Sequence, residues 1–405
     1  MIYDAYQSFA DFNHPVRALA ASLDRVLTLW STMRFASPLR RMAAYYELVA
    51  LTGFTHIRPD YKIRSITTAQ GAVVNVEEKE VCATPFCALL RFSCEGSEPR
   101  PKILLVAPMS GHFATLLRAT IRTLLRDHVV YVTDWRNVRD IPKETGEFGL
   151  DDFVRHLVDF IKFLGPRQHV VAVCQPAVPA LAAVALMAQD NDDDQPASLT
   201  LIAGPIDARL SPTQVNEFAT SKPIEWFERR LLGIVPRGLP GAGRRVYPGF
   251  LQLAAFMNMN FERHSKAFVD LFKSRVEGDI EKADQIRSFY EEYFAIMDLD
   301  ATFYLQTVET VFQKFALAEG KMRVNGRTVA PQAIRKTFLL TIEGGKDDIC
   351  SIGQTLAAQD LCTGLRPYMK SHHLQIDVGH YGSFAGRKWE TQIYPVLRDH
   401  IYSSI

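Results

Sequence analysis

Residues 168–188 read QHVVAVCQPAVPALAAVALMA, and the order of residue types in that run decides how the chain folds. Val170 to Val173 is a short β-branched apolar run, the composition of a strand buried on both faces of a parallel sheet. Gln175-Pro176 interrupts it. The Ala/Leu-rich segment that follows favours helix. Pro179 near its start is tolerated because a backbone N–H there would have no intrahelical acceptor. Strand, tight turn, helix is the reading, and it leaves Cys174 on the turn. A cysteine after an apolar strand is most often a small buried hydrophobe, so any other role for Cys174 depends on what the rest of the chain brings to it.

Outward from that stretch, strands and helices alternate. Ile103 to Ala107 reads as a buried strand running into Pro108-Met-Ser-Gly-His112, and Phe113 to Arg126 as a helix with Arg118, Arg122 and Arg126 on one face. Val129 to Thr133 is the next strand, ending at Asp134-Trp-Arg-Asn137, and Asp151 to Leu164 is an amphipathic helix. After Cys174 come a surface loop at Asn191–Asp194 and a strand from Leu199 to Ala203. Such alternation predicts a parallel sheet with helical crossovers. It stops between about 208 and 330, where helical patterns carry aromatic clusters such as Phe289, Tyr290, Tyr293 and Phe294. It resumes with a strand at Lys336–Ile342, a helix at Ile352–Leu361, a last strand at His373–Val378 and a helix from about Lys388. Between about Tyr61 and Cys94 shorter strands are expected, punctuated after them by Pro99 and Pro101. Residues 1–60 read as helices, with Leu19, Leu23, Val26 and Leu27 at helical spacing and Arg17, Arg25, Arg34, Arg40 and Arg41 along them. The expectation is an amphipathic extension packed on the core, with docking onto a hydrophobic or anionic surface as the second reading.

Composition excludes several classes. At 405 residues the chain can bury a large core, and 47% hydrophobic with 22% charged residues is ordinary for a globular enzyme. A formal net charge of +1 makes no case for nucleic acid. The N-terminus lacks the basic and apolar regions of a standard signal peptide, and the most apolar window is too short and too broken for a membrane span. Cys82, Cys87, Cys94, Cys174, Cys350 and Cys362 form no CxxC pair, so free thiols in a reducing compartment are expected, and no metal site. Aromatic residues, 25 of them Phe, point to an apolar ligand or surface.

Active-site groups of an open α/β sheet collect where its strands end. Three strand ends carry compatible chemistry in order: Cys174 as nucleophile, Asp347 or Asp348 as acid, His380 as base. Nucleophile, acid, histidine is the chain order of α/β-hydrolases. Imidazole draws the proton from the thiol, and the carboxylate holds the ring's other nitrogen. An oxyanion would be met by backbone N–H groups, Gln175 at the helix start and Met109 in the early loop. Asp347, followed two residues later by Ile349, is preferred over Asp348. No GxSxG is present, and the elbow reads Ala172-Val-Cys174-Gln-Pro176, without flanking glycines. The fold expected is thus an α/β-hydrolase: core 61–207 and 331–405, helical cap 208–330, N-terminal helical extension 1–60.

With these motifs in view, the sequence resembles the intracellular poly(3-hydroxybutyrate) depolymerases, relatives of polyester synthases. The resemblance runs nearly end to end. It rests on Tyr3-Asp-Ala-Tyr6, Ala107-Pro-Met-Ser-Gly-His112, Asp134-Trp-Arg-Asn137, Val173-Cys-Gln-Pro176, Glu343 to Ile349 and Val378-Gly-His-Tyr-Gly382. It implies an enzyme acting on amorphous storage polyester at the granule surface in the cytoplasm, with its triad mapping onto Cys174, Asp347 and His380. Attack by cysteine would give a 3-hydroxyacyl thioester, released by water or by the thiol of CoA. No cofactor is expected beyond CoA as that alternative acceptor, and the oligomeric state is not implied. The competing readings are a synthase-like acyltransferase, a non-catalytic granule-associated protein and a small-molecule thioesterase.

Overall fold

The computed structural model describes residues 2–30, 37–68, 71–96, 100–259 and 261–404; Arg34 and Pro99 lie outside them. Its first two helices, α1 (Ile2–Trp30) and α2 (Ser37–Leu51), pack against each other. Only Tyr3 and Ala20 of α1 are fully buried. Leu19 and Val26, expected to pack on the core, are exposed. The body side of the helix is held instead by polar ties such as Arg17 Nε donating to Ala50 O at 3.2 Å.

Seven strands follow: β1 (Ser65–Thr67), β2 (Val73–Ala83), β3 (Cys87–Cys94), β4 (Lys102–Val106), β5 (Val129–Trp135), β6 (His169–Val173) and β7 (Ser198–Ile202). The helices among them are α3 (Arg118–Leu124), α4 (Leu150–Leu164) and α5 (Ala177–Gln189). The helix expected over Phe113–Arg126 is split: a 3₁₀ turn at Ala114–Leu117 precedes α3, and Arg126 lies past its end. The segment that interrupts the alternation carries α6 (Gln214–Thr220), α7 (Ile224–Leu231), α8 (Gly249–Met259), α9 (Phe261–Glu277), α10 (Ile280–Tyr293) and α11 (Ala301–Thr307). It is not wholly helical. β8 (Gly233–Ile234), β9 (Arg245–Tyr247) and β10 (Leu299–Asp300) form a small antiparallel sheet, and β11 (Arg323–Val324) pairs with β12 (Arg327–Thr328). These strands are too short to show a period in sequence.

β13 (Phe338–Gly344) and β14 (Lys370–Gln375) complete a nine-stranded sheet of order β1-β2-β3-β5-β4-β6-β7-β13-β14. From β5 to β14 all neighbours are parallel; β1, β2 and β3 are antiparallel. Burial explains the compositions. Every residue of β6 and β7 is buried, whereas β2 alternates near its start. Ala177 to Ala188 of α5 are all buried, as a helix apolar on every side must be. Between β13 and β14 only α12 (Ala357–Leu361) forms of the longer helix expected from Ile352. The reason is Glu343 on β13, whose buried carboxylate accepts the N–H groups of Gly353, Thr355 and Leu356 at 2.8–3.0 Å. The C-terminal segment is helical from Gly386 to Ser403, through α13 (Gly386–Lys388), a π-turn and α14 (Tyr394–Ser403). A mostly parallel sheet with a turn-borne residue between β6 and α5 is the α/β-hydrolase fold.

Candidate active site

Cys174 sits on that turn with φ +66°, a left-handed conformation uncommon for any residue but glycine and a known mark of strained functional turns. Its N–H donates to Ile202 O at 2.8 Å and its carbonyl accepts from Ala177 N at 3.0 Å. The turn can lie this close to β7 because residue 204 is glycine. A Cβ there would stand 2.1 Å from that of Ala177 and 2.9 Å from Cys174 O.

The acid and the base come from two loops joined to each other. Lys346 N donates to Val378 O and Gly345 N to Gln375 O, both at 2.8 Å. Gly345 approaches so closely that a Cβ would lie 2.4 Å from Ile376 O. Asp347 follows directly. Its Oδ1 accepts from Ile349 N and Cys350 N at 2.9 and 2.8 Å, and its Oδ2 accepts from His380 Nδ1 at 2.8 Å. The side chain of Asp347 is fully buried and that of His380 5% exposed. Asp348, the next residue, lines the neighbouring cavity. The Cys174 sulfur also stands close enough to the His380 ring to favour its charged form. Burial opposes its protonation, but Asp347 and the Cys174 sulfur outweigh burial and hold its pKa well above the usual histidine value. Behind the site, burial pushes the Cys350 thiol up, leaving it an inert neighbour.

β4 adjoins β6, so the loop after β4 ends beside the elbow. Ala107 N donates to Thr133 Oγ1 at 2.9 Å, Gly111 O accepts from Met297 N at 2.9 Å, and Ser110 O accepts from the Gln252 amide. Among the described residues neither Met109 N–H nor Gln175 N–H has a protein acceptor. Both donors remain available to a substrate oxygen. His112, between the rings of Phe256 and Tyr293, is neutral: burial lowers its pKa to about 4.

A cavity of about 280 Å³ opens onto His380. Its cap side is Phe256, Phe289, Tyr290 and Tyr293, from α8 and α10; Asp348 and Tyr381 line the core side. The Phe289 and Tyr293 rings lie 5.3 Å apart, and Tyr381 meets both edge-on or at a steep angle. The arrangement can hold an apolar chain against a thiol–imidazole pair. Of the arginines aligned in sequence near residue 120, Arg118 pairs with Glu292 and Arg126 with Glu390 at 2.8 Å, while Arg122 is exposed. None of the six cysteines is in a disulfide, and among the described residues no group of His, Cys, Asp or Glu is placed to hold a metal ion. None of the described helices is long and apolar enough to cross a membrane.

The family model described as PHB de-polymerase C-terminus matches residues 203–404. The chain belongs to the PHB depolymerase family. As a member of that family it is a carboxylic ester hydrolase. The PHB depolymerase match takes in the cap, Asp347 and His380, and begins after the Cys174 elbow. No curated protein matches the chain. Among solved structures it is similar to the 2-hydroxy-6-oxo-6-phenylhexa-2,4-dienoate hydrolase BphD of Rhodococcus sp. strain RHA1, at 15% identity over 81% of this chain and 99% of that one, TM-score 0.46. It is also similar to a thermophilic esterase of Thermogutta terrifontis, at 15% identity over 84% and 98%, TM-score 0.42.

Three supporting residues escaped the sequence reading. Gly204 and Glu343 act through contacts with distant segments. Asp298, fully buried next to β10, accepts from the Tyr3 hydroxyl and from Gly249 N at 2.9 Å, tying α1 to the cap. Burial pushes its pKa up to about 6. One acidic residue among several in an aromatic-rich segment carries no sequence signal for such a role.

Proposed function

We propose that Cys174, His380 and Asp347 act as nucleophile, base and orienting acid in cleaving the ester bonds of poly(3-hydroxybutyrate) at the surface of cytoplasmic granules. The observation that carries this reading is the His380–Asp347 pair, joined at 2.8 Å and near enough to the Cys174 sulfur for the ring's charged form to be favoured by it, in a chain of the PHB depolymerase family. His380 takes the thiol proton as Sγ attacks the ester carbonyl, and the Met109 and Gln175 N–H groups face the oxyanion. The same proton goes to the leaving alkoxide, which departs as the hydroxyl end of the severed chain. The acyl group stays on Sγ as a thioester. Water, deprotonated by His380, releases a free hydroxy acid or oligomer; the thiol of CoA would instead release a hydroxyacyl-CoA. The aromatic cavity suits an apolar polyester segment on its way to Sγ.

The test is incubation of wild type and Cys174→Ala with amorphous poly(3-hydroxybutyrate) granules, with and without CoA, followed by mass spectrometry. Soluble hydroxybutyrate species from wild type alone are expected, and hydroxybutyryl-CoA in the CoA arm would name the second acceptor. Equal release by both proteins would remove Cys174 from the mechanism. Polymer formed from 3-hydroxybutyryl-CoA would turn the reading to a synthase-like acyltransferase. No product from either protein would favour a non-catalytic granule protein.

A further inference from the structure

The cavity that opens onto His380 is not apolar throughout. It has a cation on its cap side, Arg263 of α9, and an anion on its core side, Asp348. Arg263 is exposed and, among the described residues, has no ion-pair partner. Burial raises the pKa of the Tyr290, Tyr293 and Tyr381 hydroxyls, and the Arg263 charge offsets part of that rise at all three. Asp348 acts in the opposite sense at Tyr293 and Tyr381. The Cys174 sulfur also acts at Tyr381, which puts that ring at the nucleophile's end of the cavity. At Tyr290 Arg263 acts and the other two do not. Arg263 and Tyr290 thus mark the far end.

An uncharged polyester segment does not call for a cation, but a chain end does. Of the three groups proposed for catalysis, His380 is the one that lines the cavity. His380 hands its proton to the leaving alkoxide, so the cavity lies on the side of the leaving chain. In a 3-hydroxyacyl polyester the acyl part of a cut bond runs to the hydroxyl end, and the alkoxide part to the carboxyl end. A cavity of about 280 Å³ is near the lower limit of ligand sites and holds a short stretch of chain. When that stretch is the last of the polymer it ends in a carboxylate. Asp348 repels that group from the core wall, and Arg263 meets it at the cap wall with charge-assisted hydrogen bonds.

We infer that Arg263 forms a subsite for a terminal carboxylate, so that 3-hydroxyacyl chains enter the cavity by their carboxyl ends. The direction of entry rests on the reaction proposed above; the carboxylate site does not.

The test compares a 3-hydroxybutyrate tetramer as the free acid and as its methyl ester, with the carboxyl-terminal unit deuterated. Wild type should cut the free acid about ten- to a hundredfold more efficiently in kcat/KM, as expected for hydrogen bonds to a charged group. The first monomer or dimer released should carry the label in mass spectrometry. Arg263→Gln should bring the free acid down to the level of the methyl ester, and Arg263→Lys should restore part of the difference. Calorimetry on Cys174→Ala, which should not turn over either substrate, should show tighter binding of the free acid, and Cys174→Ala/Arg263→Gln should show no preference. Equal cutting and equal binding of the two forms by the chain with Arg263 intact overturns the inference and leaves the proposed reaction standing. Label that appears only in the last product overturns it too. Carboxylate-selective binding that depends on Arg263, without turnover by wild type, supports the site and overturns the reaction instead.

Discussion

At the scale of single residues, the candidate site makes unequal demands on its two neighbouring aspartates. Asp347 Oδ2 faces His380 Nδ1 and its Oδ1 is held by two backbone N–H groups, so the carboxylate cannot turn away. Asp347→Asn should lower kcat on a soluble ester by about a hundred- to ten-thousandfold, because the ring loses the partner that fixes its tautomer. Asp348→Asn should leave kcat near wild type; the reverse ranking in steady-state kinetics would reassign the acid. Cys174→Ala should lower kcat by about a thousandfold or more. Gly204 is a residue whose side chain is forbidden. Gly204→Val must push into Ala177 and the Cys174 carbonyl, and overpacking of this kind destabilises by about 1–3 kcal/mol, measurable by urea unfolding. Cys174 and His380 were legible in the sequence because strand ends followed by chemistry-bearing residues are a local pattern. Gly204 was not, since its constraint comes from a turn some thirty positions away.

At the scale of elements, sequence periodicity located the strands whose composition burial dictates. It set the last strand at His373–Val378, three residues past the observed β14, because that edge strand buries none of its residues, and it failed where side chains rewire backbone. Residues 352–356 do not extend α12 because Glu343 takes their N–H groups, an acceptor no helical pattern could announce. The small sheet of β8, β9 and β10 was missed for want of length. The first turn of α1 is fastened by Tyr3 to Asp298, and this joint responds to pH. Asp298 has its pKa raised from 3.8 to about 6, so the folded state holds its proton more tightly than the unfolded chain. The resulting stability, on the order of 3 kcal/mol, is fully present below about pH 4 and is lost as pH rises through about 6. Asp298→Asn should flatten that part of a melting-temperature profile against pH; an unchanged slope would show that the joint does not titrate there.

Across the whole molecule, the cap and the core share one cavity, and its walls are divided between α8 to α10 on one side and the loops after β13 and β14 on the other. The aromatic clusters of the cap were visible in sequence; which of them meet His380 was not, because that depends on how α10 lies over the sheet. Phe289→Lys should place a charge where an apolar chain is to lie. It should raise KM for long hydroxyacyl oligomers more than for a short soluble ester, and an equal change for both would move the substrate path elsewhere.

β14 is the last strand of the sheet, with only β13 to hold it, and the loop that follows it carries His380 while being clamped to the loop that carries Asp347. Sheet margins open before sheet centres when a protein is warmed. Fraying from this margin would separate base from acid while the central strands, and the elbow between β6 and α5, stayed folded. Heat inactivation should therefore run ahead of melting: hydrolytic activity declines at temperatures where the dichroism of the sheet is still intact, and it returns on cooling as the margin closes.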